Sequence, residues 1–243
     1  SNITSHQANG GIVAINWQWA TPPHENAKPE EYSIDSNFNL GNALRDDKWE
    51  FHFIEKDFDI MAKNLQILKD NNIVVLFNPM RLAQNHWWGK LDAIYFRELW
   101  RLMYDRLAIK HQLDNIIWVW STETSNLSKE ELYEWYPGDE YVDIIGTNIY
   151  VDNINSQIDR FLLLNETFEG RKMLEITECG NIPDISKCHD MGDSWMYFCS
   201  MYSTDNNGTL SLDYIYKFNT KTHWNTLINH EKVISRTEIP LFE

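Results

Sequence analysis

The stretch Val74–Lys90, "VVLFNPMRLAQNHWWGK", decides how this chain folds. It opens on the apolar run Val74-Val75-Leu76-Phe77, and Asn78-Pro79 closes that run. Apolar residues at successive positions, instead of alternate ones, read as a strand buried on both faces. Pro79 cannot donate to a sheet ladder, so the strand ends there. A loop carrying Arg81, Leu82, His86, Trp87 and Trp88 follows.

Five further segments share this form: "GIVAINWQW" (11–19), "NIIWVWST" (115–122), "DIIGTNIY" (143–150), "KMLEITECG" (172–180) and "WMYFCSMYS" (195–203). Helical patterns lie between most of them. Over 55–71, Phe58, Met61, Leu65 and Leu68 fall on one face. Over 91–112, Ile94, Leu99, Leu102 and Leu107 do the same, and 154–168 repeats the pattern more weakly. Strands alternating with helices predict an α/β fold with a parallel sheet, of the (β/α)8 TIM-barrel type. The site of such a barrel lies at the C-terminal ends of its strands. A doubly wound open sheet is the alternative, but "NGGIV" (Asn9–Val13) precedes a strand instead of following one, as a phosphate loop would. Residues 20–50 read as a long polar insertion, and loops of that length are usually functional. Residues 1–243 read as a single domain without repeats or linkers.

The 243 residues suffice for one sizeable core, and 43% apolar with 23% charged residues is ordinary for a globular chain. A formal charge of −15 argues against nucleic acid and anionic membranes, which call for clustered Lys and Arg. No apolar run approaches the roughly 20 residues of a membrane span, and the opening "SNITSHQANGG" does not read as a signal peptide. Eleven Trp and eleven Tyr suit core packing and, equally, the flat faces of pyranose rings. Cys179, Cys188 and Cys199 match no zinc spacing. Free thiols are the expectation for them, with one loop disulfide as the alternative. The histidines form no H-x-x-x-H pair and no Gly-x-Ser-x-Gly elbow occurs, so neither a metal nor a cofactor is expected.

The segments "GGIVAINWQWATP", "FNPM…NHWWG", "IIWVWST", "WYPGDEYVDIIGTNIY", "LEITECG", "WMYF" and "VISRTEIP" stand in the order found in glycoside hydrolase family 26, the β-mannanases. The most specific piece is Tyr136–Gly146, "YPGDEYVDIIG". The resemblance covers essentially the whole chain. It implies an eight-stranded barrel of which this chain holds strands three to eight, with "SHQANGG" (5–11) at the end of the second barrel helix. Such a portion leaves two sheet edges, so an oligomer or a partner chain covering them is expected. The resemblance further implies an oligo- or polysaccharide ligand, of mannan type, and an extracellular, cell-surface or periplasmic location.

The family's retaining mechanism uses two glutamates. The nucleophile position maps onto Glu178 in "ITECG", with Tyr150 where a Tyr touches the nucleophile. The acid/base follows a His in a pattern like F-R-P-x-H-E; in this chain Asn78 replaces the Arg, Arg81 the His, and Leu82 the acid. Leu82 has no proton to give, so the position is non-functional. Trp17-Gln18 stands for a Trp-His pair and Asn148 for an Asp. Several linked changes around one pocket read as natural loss or replacement of the chemistry. Glu123, at the end of "WVWSTE", is the first candidate for a relocated acid, with His86 and Asp139 behind it. The His24-Glu25 pair lies in the insertion and reads as coincidence. Trp87, Trp88 and Trp195 match sugar-subsite positions and, with Trp17, Gln18, Arg81 and Asn148, form the expected binding set. Three readings follow: a non-catalytic or severely impaired glycan-recognising homologue, an active retaining β-mannanase-type enzyme with a moved acid, and a structural remnant completed by another chain.

Overall fold

The computed structural model describes residues 3, 6–7, 11–201, 211, 216–235 and 238. Most of the expected helix end at 5–11, the tail of the last strand at Tyr202 and Ser203, and most of the closing "TEIP" lie outside the described residues.

Six strands form one sheet: β1 (Val13–Asn16), β2 (Val75–Asn78), β3 (Ile116–Thr122), β4 (Ile144–Ile149), β5 (Met173–Cys179) and β6 (Phe198–Ser200). They lie in sequence order and every neighbouring pair is parallel, so all C-terminal ends share one rim. The sheet curls into half of a barrel with helices against it, as the alternation of strand and helix predicts. Each strand falls inside the segment that predicts it.

Strand alternation sorts the side chains of β2, β3 and β4 largely into two clusters, while Ile149, Ile176 and Cys179 join a third near the rim of β4 and β5. Val75, Phe77, Trp118, Trp120, Ile145 and Leu174 join the helices in the main core. Leu76, Val119 and Ile144, with part-buried Ile117, have the opposite parity and form a small cluster of their own inside the curl. Burying a side chain such as Phe58, Phe77 or Phe96 completely contributes roughly 1.5–3 kcal/mol, so the helix-side core dominates stability.

The helices are α1 (Trp49–Asp70), α2 (Ala93–Tyr104), α3 (Lys129–Trp135), α4 (Ile158–Thr167), α5 (Ile185–Met191) and α6 (Lys221–Ile228). Helix α1 buries Ile54, Phe58, Ala62 and Leu65. Helix α2 buries Phe96, Leu99, Trp100 and Met103, which moves its core face off the predicted one. Ile94 is 49% exposed as a result, because the tryptophan and phenylalanine outweigh a single isoleucine. The helix continues into π-type turns over Asp105–Lys110, which bury Leu107. The insertion at 20–50 is ordered around a short bridge, Thr21 to Ser33, and a single helical turn at Leu40–Ala43.

All three cysteines are free thiols; Cys179 and Cys188 are buried and Cys199 is partly so. Among the described residues, no helix is long and apolar enough to cross a membrane.

Candidate functional site

Glu178 lies at the rim end of β5 with its side chain 16% exposed. Arg81 Nη1 donates to its Oε2 at 2.5 Å. The Tyr150 hydroxyl, just past β4, donates to its Oε1. Both carboxylate oxygens therefore carry a donor, one of them cationic, and charge-assisted bonds of this kind are the strong class. A bulge at Thr147/Asn148 sets Asn148 opposite Glu178 in the ladder. The buried Asn148 accepts from Thr177 Oγ1 at 2.9 Å and adds no charge to the rim.

The turn after β2 puts Leu82 at φ 56°, in the left-handed region. That conformation costs a non-glycine residue roughly 1–2 kcal/mol. Four hydrogen bonds hold it: Leu82 N to Ser121 Oγ at 3.0 Å, Ala83 N to Ser121 O at 3.0 Å, Asn85 N to Leu82 O at 2.9 Å, and Trp88 Nε1 to Leu82 O at 3.3 Å. Asn78 Nδ2 also donates to Ser121 Oγ, at 3.1 Å. The turn keeps a fixed shape although its residue is an aliphatic one.

The aromatic residues differ from the sequence expectation. Trp87 and Trp88 are fully buried and offer no face to a ligand. Trp87 Nε1 donates to Trp19 O at 2.9 Å and its backbone N–H to Ile34 O at 3.1 Å, which ties the insertion to the site turn. Gly89 makes this packing feasible, since a Cβ there would run into the Gln84 backbone. Trp195 precedes β6, with Met196 N bonded to Leu174 O at 2.8 Å, so it lies toward the opposite end of the sheet from Glu178. It packs edge-on to Phe161 of α4 and lines a cavity of about 530 Å³ beside α5. The aromatic faces left near the rim are Trp17, half-buried and stacked on Trp19 at 4.4 Å, and Tyr150, 48% exposed. Gln18 is exposed beside Trp17.

No relocated acid emerges from the named candidates. Glu123 Oε1 accepts from Thr124 N at 2.8 Å, Ser125 N at 2.8 Å and Ser125 Oγ at 2.7 Å, with Arg160 at 3.8 Å. Burial pushes its pKa up, but the Ser125 hydroxyl, the two amides and Arg160 together outweigh it and leave it below the usual carboxylate range. A general acid must hold its proton until the leaving oxygen takes it, and this environment favours the ionised form. His86 is bonded to Asp35 at 2.7 Å and helps pin the insertion. Asp139 accepts from Tyr136 and pairs with Arg171 at 2.8 Å, before β4 begins and so at the far end of the sheet. His24 faces Glu31 in the exposed insertion, 3.8 Å away. Among the described residues, no group of three His, Cys, Asp or Glu side chains is placed to hold a metal.

Ser121, Thr177 and Gln84 belong to the rim network and escaped the sequence reading. Ser121 and Thr177 sit inside strands, where only their polarity near the strand end marks them. Gln84 bridges Thr122 Oγ1 and Glu123 N across two loops, a relation no local pattern carries. Chemically, the rim offers neutral donors and acceptors around a charge-balanced Arg81–Glu178 pair. A retaining glycosidase needs two carboxyl groups about 5–5.5 Å apart. Leu82 supplies no second one.

The model of glycosyl hydrolase family 26 matches residues 1–235. Mannan endo-1,4-β-mannosidase A of Piromyces sp is 30% identical over 234 residues, which are 96% of this chain and 36% of that protein. The chain thus spans little more than a third of the curated relatives it matches first. Among solved structures, a ruminal endo-β-1,4-mannanase superposes with a TM-score of 0.88 at 23% identity, over 99% of this chain and 54% of that one. A β-mannanase from a symbiotic protist of the termite Reticulitermes speratus, complexed with gluco-manno-oligosaccharide, gives 0.79 at 27% identity, over 99% and 72%.

Proposed function

The chain belongs to glycosyl hydrolase family 26, and from that premise we propose that it recognises a mannan-type glycan at the sheet rim without hydrolysing it. One observation carries this reading. The carboxylate at the nucleophile position is ion-paired by Arg81, which stands where the family has a His, while the acid position is Leu82. A carboxylate neutralised by a guanidinium is a weaker nucleophile, and an attack without protonation of the leaving group loses roughly 10²–10⁴-fold. Three features support binding: the charge-balanced floor suits a neutral sugar, Trp17 and Tyr150 present aromatic faces, and the exposed Gln18 offers a polar group for hydroxyls. The gluco-manno-oligosaccharide held by the termite-symbiont mannanase supports the ligand class. An extracellular, cell-surface or periplasmic setting goes with the same reading.

Pairing with another chain along β1 or β6 is part of the proposal, supported by each having one neighbour among the described strands. A monodisperse monomer in solution counts against that part. The binding claim is tested by calorimetric titration of manno-oligosaccharides into the protein and into Trp17→Ala. Saturable heat that is lost in the variant is expected. No heat at all, at protein concentrations well into the millimolar Kd range, removes the reading.

A further inference from the structure

Glu175 lies on the same strand as Glu178, three residues earlier, and takes no part in the rim site. Its side chain is enclosed, with the residue 4% exposed. Gly146 is its ladder partner on β4, and the missing side chain there makes the room. A Cβ at position 146 would collide with Thr177 Cγ2 and stand 3.2 Å from Glu175 Cγ. The carboxyl shares the concave face with Ile144, since residues 144 and 146 have the same strand parity and Ile144 belongs to the interior cluster.

No cation answers this carboxyl among the described residues. Its Oε2 is buried without a hydrogen-bond partner. The titratable groups that act with it are Tyr197, just before β6, and Cys199 of β6, which burial, first of all, pushes toward their neutral forms. Glu178 lies further along its own strand, and β4 contributes only Gly146. An ionised carboxylate enclosed without a partner is strongly unfavourable, so the group holds its proton instead. Burial accordingly pushes its pKa up to about 7.

The neighbouring ladder is thin. Strands β5 and β6 pair at Ile176↔Phe198 and Cys179↔Ser200, with the register broken between them. Ile176 N to Tyr197 O at 2.9 Å and Met201 N to Cys179 O at 2.8 Å are the bonds on either side of that break. A charge at Glu175 would arise directly beside it.

We propose that Glu175 is a proton-binding site inside the curled sheet, whose protonated form seats β6 against β5 and whose ionisation loosens β6 and the end of β5 that carries Glu178. The sign follows from linkage. Between the ordinary value of 4.5 and about 7 the folded chain holds a proton that the unfolded chain has lost. Stability is therefore fullest below that window, falls as pH rises through it, and is level above it.

The test compares unfolding of the wild type and Glu175→Gln across the window and up to roughly pH 8. The glutamine cannot ionise, so its profile should be flatter by one proton. Relative to it, the wild-type folding equilibrium should fall on the order of 10²-fold across the window. Hydrogen-exchange protection of the β6 amides in the wild type should drop in parallel. Titration of the Glu175 carboxyl carbon by NMR on the wild type decides the matter even where the variant does not fold. Parallel unfolding profiles, or a carboxyl that titrates in the ordinary glutamate range, overturn the proposal. No glycan enters these measurements, so their outcome is separate from that of the binding reading.

Discussion

Arg81 Nη1 and Glu178 Oε2 stand 2.5 Å apart, which joins the turn after β2 to the end of β5 across the mouth of the curled sheet. The two residues are 97 positions apart in sequence. The ion pair is therefore a long-range clasp as well as a neutralisation of the Glu178 carboxylate. Hydrogen bonds to charged groups contribute about 1.5–3 kcal/mol. Arg81→Ala should lower stability by about that much, read from urea unfolding at constant m. An unchanged midpoint would show that solvent already screens the pair.

Position 82 invites the opposite experiment. The turn is fixed by Ser121 and Trp88 whatever side chain it carries, so Leu82→Glu should present a carboxyl from the same place. Arg81 would compete for it, and the change is best made together with Arg81→Ala. The double variant should gain turnover of manno-oligosaccharides, whose sugar leaving group needs protonation, by up to roughly 10²–10⁴-fold over Arg81→Ala alone, which is the usual value of general acid catalysis. No gain would mean that residue 82 does not face the leaving group.

Trp88 and Trp17 should separate folding from binding. Trp88→Phe keeps most of the buried ring and removes the bond to Leu82 O. A destabilisation of about 1 kcal/mol is expected from the lost bond, with glycan affinity changed by less than about twofold. Trp17→Ala should weaken affinity at least about tenfold, in keeping with aromatic anchors at binding sites. The reverse ranking, measured by titration calorimetry, would restore Trp88 as a sugar contact.

Glu123 provides a pH signature distinct from that of Glu175. Its folded pKa is depressed below the ordinary 4.5, so its contribution is present above that value and is lost as pH falls through the folded pKa. The stability difference between wild type and Glu123→Gln should be constant near neutrality and shrink in acid. A difference that grows in acid would mean the carboxyl is protonated in the folded state and open to an acid role.

The strands were legible because each is a near-continuous apolar run closed by polar residues, and burial on both faces leaves that mark in any parallel sheet. The placement of Glu178 and Tyr150 at the rim was legible for a related reason: a polar residue at a strand's C-terminal end has the rim to face. The short helices α3 and α5, of seven residues each, have too few turns to show a period. The tryptophans were misread because "HWWG" and "SWMYF" carry aromatic area without saying which side of the chain the core lies on. Trp87 and Trp88 brace the turn and Trp195 packs under α4, roles set by residues far away in sequence. Ser121 is the same case in reverse, a small strand residue that becomes central only when the turn after β2 folds over it.

The most direct measurement is turnover of an aryl β-mannoside with a good leaving group, by wild type and by Glu178→Ala. Such a substrate needs no general acid, so only the state of Glu178 limits the rate. With Glu178 neutralised by the Arg81 guanidinium, wild type and variant should be equally silent. Wild-type turnover that disappears in Glu178→Ala would contradict the non-hydrolytic reading and show a working nucleophile.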